Sequence, residues 1–261
     1  VRELTSPQNP EIKATARLRE RRDREREGRF LIEGTREVAR ALLGGVPVER
    51  LYVCEDLLRG DARDVVGSAQ AAGAELVLVS RAAFAKLSAR ENPDGVLGVA
   101  PLPARTLPPL PQDALVLVLV GLEKPGNLGA LLRTADGVGV DAVVLAGRGV
   151  DLFNPNVIRA SQGSVFTQSV VTMEEDAALA WLRAEGFELF ALAPEGSVTY
   201  WAADLTARVA LALGTEHEGL PPAWEAAADQ NLRIPMRGGA DSLNVATAGA
   251  LVLYEALRQR G

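Results

Sequence analysis

Two α/β domains in tandem are the fold that this 261-residue sequence predicts, and three observations carry the prediction. Residues 100–113 (APLPARTLPPLPQD) are rich in proline and have neither helical nor strand periodicity, so they read as an extended, semi-rigid linker. Before them, short strand patterns alternate with helical ones, as in a small α/β domain. After them, apolar runs such as residues 114–121 (ALVLVLVG) lack strict alternation, which points to parallel strands covered on both faces. The domains are drawn at 1–105 and 114–261, and few contacts are expected across the boundary.

The first domain opens on a charged helix over 10–27 and a strand at 29–33 (RFLIE). A helix over 34–44 ends at Gly44-Gly45, a pair suited to a helix C-cap. Strands at 49–54, 75–79 and 96–99 alternate with helices at 61–73 and 81–87. In the second domain a strand at 115–120 leads to a helix at 127–137 and a strand at 141–146. A helix at 154–162 precedes an apolar stretch at 165–172 and a helix at 175–185. Strands at 189–192 and 209–213 flank an irregular piece holding Tyr200 and Trp201. A helix near 221–228, a strand end at Ile234-Pro235-Met236 and a long terminal helix complete the chain.

With 48% hydrophobic and 24% charged residues, the composition is globular and not that of a disordered chain. The longest apolar run is far short of the roughly 20 residues a membrane helix needs, and the N-terminal stretch lacks the apolar core of a secretory signal. The one cysteine, Cys54, excludes an internal disulfide framework. The one histidine, His217, leaves no histidine-based zinc site. A cytoplasmic protein with no metal and no membrane partner is expected.

The net charge of −6 is unevenly spread. Residues 11–29 hold Lys13 and seven arginines against five acids, a local excess of +3 that leaves −9 elsewhere. Phosphate binding depends on where positive charge sits more than on the total, so Arg17, Arg21 and Arg24 are candidates for holding nucleic acid. The competing reading is a solvated helix laced with i,i+4 ion pairs. Arginine outnumbers lysine 25 to 3; a G/C-rich coding bias explains this more cheaply than phosphate recognition does.

Three constellations carry chemistry. Residues 121–136 (GLEKPGNLGALLRTAD) take a buried strand through a Gly-rich loop into a helix, a setting in which backbone N–H groups receive anionic ligands. A dinucleotide fold would want an acid at the end of the next strand, where Leu145-Ala146-Gly147-Arg148 stands instead. Residues 211–220 (LALGTEHEGL) run a strand into a turn with acids, too generic to carry function unaided. Residues 232–258 join Ile234-Pro235-Met236 to a Gly-rich loop with Asp241, Ser242 and Asn244, then to a helix of small residues. An N-cap explains Asp241 or Ser242 but not the whole phrase.

In this order the three resemble the signatures of the SpoU/TrmH family of RNA ribose methyltransferases, within the SPOUT class, and the resemblance spans the chain. The FLIEG and ENPDGVLGV phrases resemble the substrate-binding domain found ahead of such catalytic domains, itself similar to small ribosomal proteins that grip bent RNA. The resemblance implies a trefoil knot, a homodimer and S-adenosylmethionine (AdoMet) as methyl donor. It makes Asn127, Arg133, Glu216, Ser242 and Asn244 the active-site residues, and Leu213, Gly214, Ile234 and Leu243 the donor contacts. It leaves His217 at a variable position. The long first domain favours ribosomal over transfer RNA, with Arg17, Arg21 and Arg24 as its RNA contacts. A non-catalytic RNA-binding protein and a nucleotide-linked oxidoreductase are the other readings; the intact signatures weigh against the former, the missing ribose-binding acid against the latter.

Overall fold

The computed structural model describes residues 2–215 and 218–261. In chain order it holds β1 (Arg2–Leu4), α1 (Pro10–Arg17), α2 (Arg21–Glu27), β2 (Arg29–Glu33), α3 (Thr35–Leu43) and β3 (Arg50–Val53). Then come α4 (Ala62–Ala71), β4 (Glu75–Val79), α5 (Arg81–Leu87), β5 (Val96–Pro101), β6 (Leu115–Val120), α6 (Pro125–Val138) and β7 (Ala142–Ala146). They are followed by α7 (Pro155–Ala160), β8 (Val170–Met173), α8 (Glu175–Ala184), β9 (Glu188–Leu192) and β10 (Val198–Thr199). The last are β11 (Val209–Leu213), α9 (Pro222–Ala227), β12 (Gln230–Arg233) and α10 (Val245–Arg260). Two compact units result: the chain up to Ala104 together with Asp151–Thr167, and Arg105–Val150 together with Gln168–Gly261.

The first unit is a mixed five-stranded sheet in the order β1-β4-β3-β5-β2. β1, β4 and β3 are parallel, whereas β5 runs antiparallel to both β3 and β2. Ile12, Tyr52, Phe84 and Leu97 lie in its core and are fully buried. Tyr52 ties α1 to the sheet: its hydroxyl pairs with Thr15 Oγ1 at 2.9 Å and donates to Glu11 Oε1 at 2.7 Å. Burial, the largest influence, raises the pKa of that hydroxyl.

The single helix expected over 10–27 is two helices. The chain breaks at Leu18 because the Leu18 and Arg19 carbonyls accept from Arg24 Nη1, at 2.8 and 2.5 Å, in place of helical N–H groups. Arg24 is 1% exposed, and its Nε donates to Asp151 Oδ2 at 3.0 Å. The expectation that Arg24 contacts RNA is therefore corrected: a buried arginine already bonded on three sides offers nothing to phosphate. Arg21 is exposed but paired with Glu25 at 2.8 Å, an i,i+4 bridge of the kind a solvated helix carries. Arg26 pairs with Asp23 and Arg29 with Glu49. Lys13, Arg17 and Arg22 are exposed and make no ion pair among the described residues.

Asp151–Thr167, drawn in sequence with the second domain, is built into the first unit. The Phe153 ring lies 4.6 Å from that of Phe30, and the Phe166 ring 5.9 Å from Phe30 on the same strand β2. Deleting residues 1–105 would strip these rings of their partner and Asp151 of its arginine. The linker reading thus missed a connection that only tertiary contact creates.

The second unit is a seven-stranded sheet in the order β10-β12-β9-β11-β6-β7-β8, with every pairing parallel. All residues of β6, β7 and β11 are buried, as expected for strands covered on both faces. The proline-rich stretch is not a free spacer: Leu107 and Leu110 pack against this core. Two strand expectations shift. β12 ends at Arg233, so Ile234–Met236 lies beyond it, where Pro235 has no N–H to continue a ladder. The stretch at 165–172 divides into a 3-10 turn at Ser164–Phe166 and the start of β8. No helix among the described residues is long and apolar enough to cross a membrane.

Candidate active site

In a parallel sheet the C-terminal strand ends share one edge, and ligands bind there. β12, β9 and β11 are neighbours, so their ends bring Ile234, Leu192 and Leu213 to that edge. Two adjoining clefts open on it. One of about 490 Å³ is lined by Glu195, Arg233, Ile234, Met236, Ser242 and Leu243, among others. The other, of about 520 Å³, includes Leu213, Gly214, Thr215, Glu218, Asp241 and Val245. Leu192, Pro194, Glu195, Asp241, Ser242 and Leu243 line both, so the two are continuous.

Gly214 is dictated by shape. A Cβ there would lie 2.0 Å from the Gly219 carbonyl oxygen, closer than any real contact. That approach lets Thr215 and Gly219 exchange backbone hydrogen bonds of 3.0 and 3.1 Å at the cleft wall. Glu216 and His217 lie outside the described residues.

The helices α6 and α10 cross closely. A Cβ on Gly249 of α10 would meet Leu131 Cδ2 of α6 at 2.4 Å, so the small residues of α10 serve this internal crossing first. At its N-terminus Asn244 caps α10, its Oδ1 accepting from Ala246 N at 3.0 Å and Thr247 N at 3.4 Å. The cap turns the amide group outward, and Nδ2 donates to Asn127 Oδ1 at 3.2 Å. Residues 117 positions apart, from two of the signatures, therefore meet directly. An Asn cap contributes about 1 kcal/mol, but a cap alone does not require an asparagine opposite it.

The structure therefore brings together Leu213, Gly214, Ile234, Ser242 and Leu243 on one wall and Asn127 with Asn244 beside it. Arg133 is exposed on α6, about two turns along from Asn127, is not among the residues lining these two clefts and makes no ion pair among the described residues. Glu195, Pro194 and Asp241 are lining residues that motif reasoning left out of the site. The signal for the first two was position, just past the end of the strand expected at 189–192.

Comparison with known proteins gives two family matches, the second of which runs through Asp151–Thr167. Residues 9–98 match the model of the MRM3-like substrate binding domain, and residues 114–254 match that of the SpoU rRNA Methylase family. The chain belongs to the SpoU rRNA methylase family. The family expected from the three signatures is the one found. A relative from Bacillus subtilis (strain 168), 23S rRNA (guanosine(2553)-2'-O)-methyltransferase RlmP, is 31% identical across 97% of this chain and 98% of its own. A solved RNA 2'-O ribose methyltransferase is 49% identical, covers 99% of both chains and superposes with a TM-score of 0.88. An AdoMet-bound rRNA methyltransferase from Sinorhizobium meliloti is 31% identical over 98% of this chain and 97% of its own, with a TM-score of 0.89. The α/β architecture of this SpoU chain, a mixed sheet followed by a parallel one, is thus shared over its whole length.

Proposed function

We propose that this SpoU protein transfers a methyl group from AdoMet to a ribose 2′-hydroxyl of 23S-type ribosomal RNA, in the cytoplasm where that RNA is found. The observation that carries the reading is the continuous cleft at the ends of β9, β11 and β12, faced by the Asp241–Asn244 loop. Its lining suits the donor. Leu192, Leu213, Ile234 and Leu243 are apolar walls for a flat base, Ser242 is polar, and the Glu195 and Asp241 carboxylates favour a cationic ligand over a neutral one. Transfer-RNA methylation is disfavoured by the substrate-binding unit ahead of the catalytic one, which minimal transfer-RNA members lack.

When bound, AdoMet supplies an already activated methyl sulfonium, so the protein's main task is alignment at near-attack distance. Backbone groups around Leu213–Gly214, Ile234 and Leu243 hold the donor without a metal. Asn127, Asn244 and Ser242 each donate and accept, which suits a ribose hydroxyl or its phosphate. Arg133 clamps the adjacent phosphate and stabilises the developing alkoxide, because a guanidinium holds five N–H donors and no acceptor and so is a poor base. The proton leaves through phosphate or water. Glu216 orients Arg133 or the turn. The trefoil knot belongs to the same reading.

The family resemblance implies a homodimer in which each subunit serves the other's site, which would let the exposed Arg133 act there. Tyr254 and Leu251 of α10, with Trp201 nearby in sequence to β10, are large apolar side chains left 54%, 38% and 55% exposed, more than a lone surface needs. Light scattering is expected to give twice the 27.7 kDa of one chain. A monomer at concentrations where the enzyme turns over would refute the dimer. RNA affinity is assigned to the first unit, with Arg17, and with Arg21 at the cost of its Glu25 bridge. A groove there of about 380 Å³ is lined by Arg17, Arg26, Arg29 and Arg50, with acids between them.

Calorimetry tests the donor site. AdoMet is expected to bind with a chelator present, and NAD is not. Tight NAD binding with no AdoMet heat would sink the assignment.

A further inference from the structure

Gln162 is the one residue other than glycine with a left-handed backbone among the described residues, at φ 54°. It closes α7: the Gln162 N–H donates to the Arg159 carbonyl and the Gly163 N–H to the Ile158 carbonyl, both at 3.0 Å. These are the two bonds of a Schellman turn, whose left-handed position is ordinarily glycine. Here a glutamine occupies it against the backbone's preference. Gln162 is half-buried, yet its carboxamide makes no hydrogen bond with the described residues, so no hydrogen bond among them accounts for its polar end. One turn earlier, Arg159 is exposed and its Nη2 donates to Asn156 Oδ1 at 3.1 Å, with no carboxylate in ion-pair range among the described residues. The Arg24–Asp151 ion pair and the Phe153 and Phe166 rings fix this segment to the substrate-binding unit.

We propose that the turn from Asn156 to Gln162 is an RNA-reading element of that unit. Arg159 holds a phosphate with its fork, Asn156 keeps the fork oriented, and the Gln162 carboxamide reads the edge of an unpaired base. This rests on the RNA methyltransferase reading above. A side chain retained for reading RNA explains why the glycine that the turn favours is absent.

The test measures binding to an unmodified 23S rRNA transcript against salt, AdoMet affinity and thermal midpoint, for wild type, Gln162→Gly and Arg159→Gln. Gln162→Gly is expected to unfold at a higher temperature, because the backbone preference is met. It is also expected to bind RNA about fivefold or more weakly with an unchanged salt slope, as loss of a base contact predicts. Arg159→Gln is expected to lower affinity and reduce the salt slope by about one. AdoMet affinity is expected to hold in both. Gln162→Gly binding the transcript as tightly as wild type would overturn the inference alone. A wild type that does not bind the transcript overturns the rRNA reading and this inference with it.

Discussion

Arg133→Ala is expected to abolish methyl transfer while AdoMet affinity stays within a few-fold of wild type. The two effects separate because the work proposed for Arg133 is on the RNA side, and it is not among the residues lining the two clefts that suit the donor. Removing a group that stabilises developing charge costs on the order of 10²–10³ in kcat, about 3–4 kcal/mol. Arg133→Lys is expected to be nearly as poor. A compact ammonium supplies the charge but not the bidentate fork that matches phosphate. Single-turnover rates with saturating AdoMet, together with donor calorimetry on both variants, read the effect. Near-normal turnover by the lysine variant would remove the clamp; loss of AdoMet affinity in the alanine variant would move Arg133 to the donor side.

Arg24 carries the second large effect, and it is one of stability. Arg24→Met is expected to unfold the first unit at markedly lower temperature. It leaves the Asp151 carboxylate, whose side chain is 18% exposed, without its arginine, and two carbonyls without donors. Breaking a buried ion pair by removing one partner costs about 3–5 kcal/mol, and the residual exposure of Asp151 places this case near the lower end. For a chain of this size the midpoint is expected to fall by roughly 5–15 °C. The double variant with Asp151→Asn should recover part of the loss, since the stranded charge is gone. Arg17→Glu gives the contrast: no change in midpoint and weaker RNA binding. Melting curves of the four proteins decide the matter. An Arg24→Met midpoint equal to wild type, with RNA affinity lost, would return Arg24 to the RNA surface.

These variants mark where the sequence was legible. The parallel core could be read because β6 is LVLVLV, and a strand with no polar face has no solvent side to offer. The Asn127–Asn244 contact was implied only as joint membership of a site. The bond itself depends on α6 and α10 crossing at Gly249, which no local pattern reports. Arg24 was misread because charge counted along a helix does not say which charge is buried; its partner lies 127 residues away. The same distance hid the attachment of Asp151–Thr167 to the first unit. Glu195 was passed over because it belongs to no signature and joins the cleft only through the order of the strands.

Methyl transfer to a ribose hydroxyl of ribosomal RNA is the activity on which the Arg133 variants above depend. Its most direct test incubates an unmodified 23S rRNA transcript with the protein and AdoMet carrying a deuterated methyl group, then maps the label by nuclease digestion and mass spectrometry. Label is expected on the ribose 2′-oxygen of one nucleotide, and none with Arg133→Ala. Label on a base, or an unlabelled transcript with AdoMet bound, would contradict it.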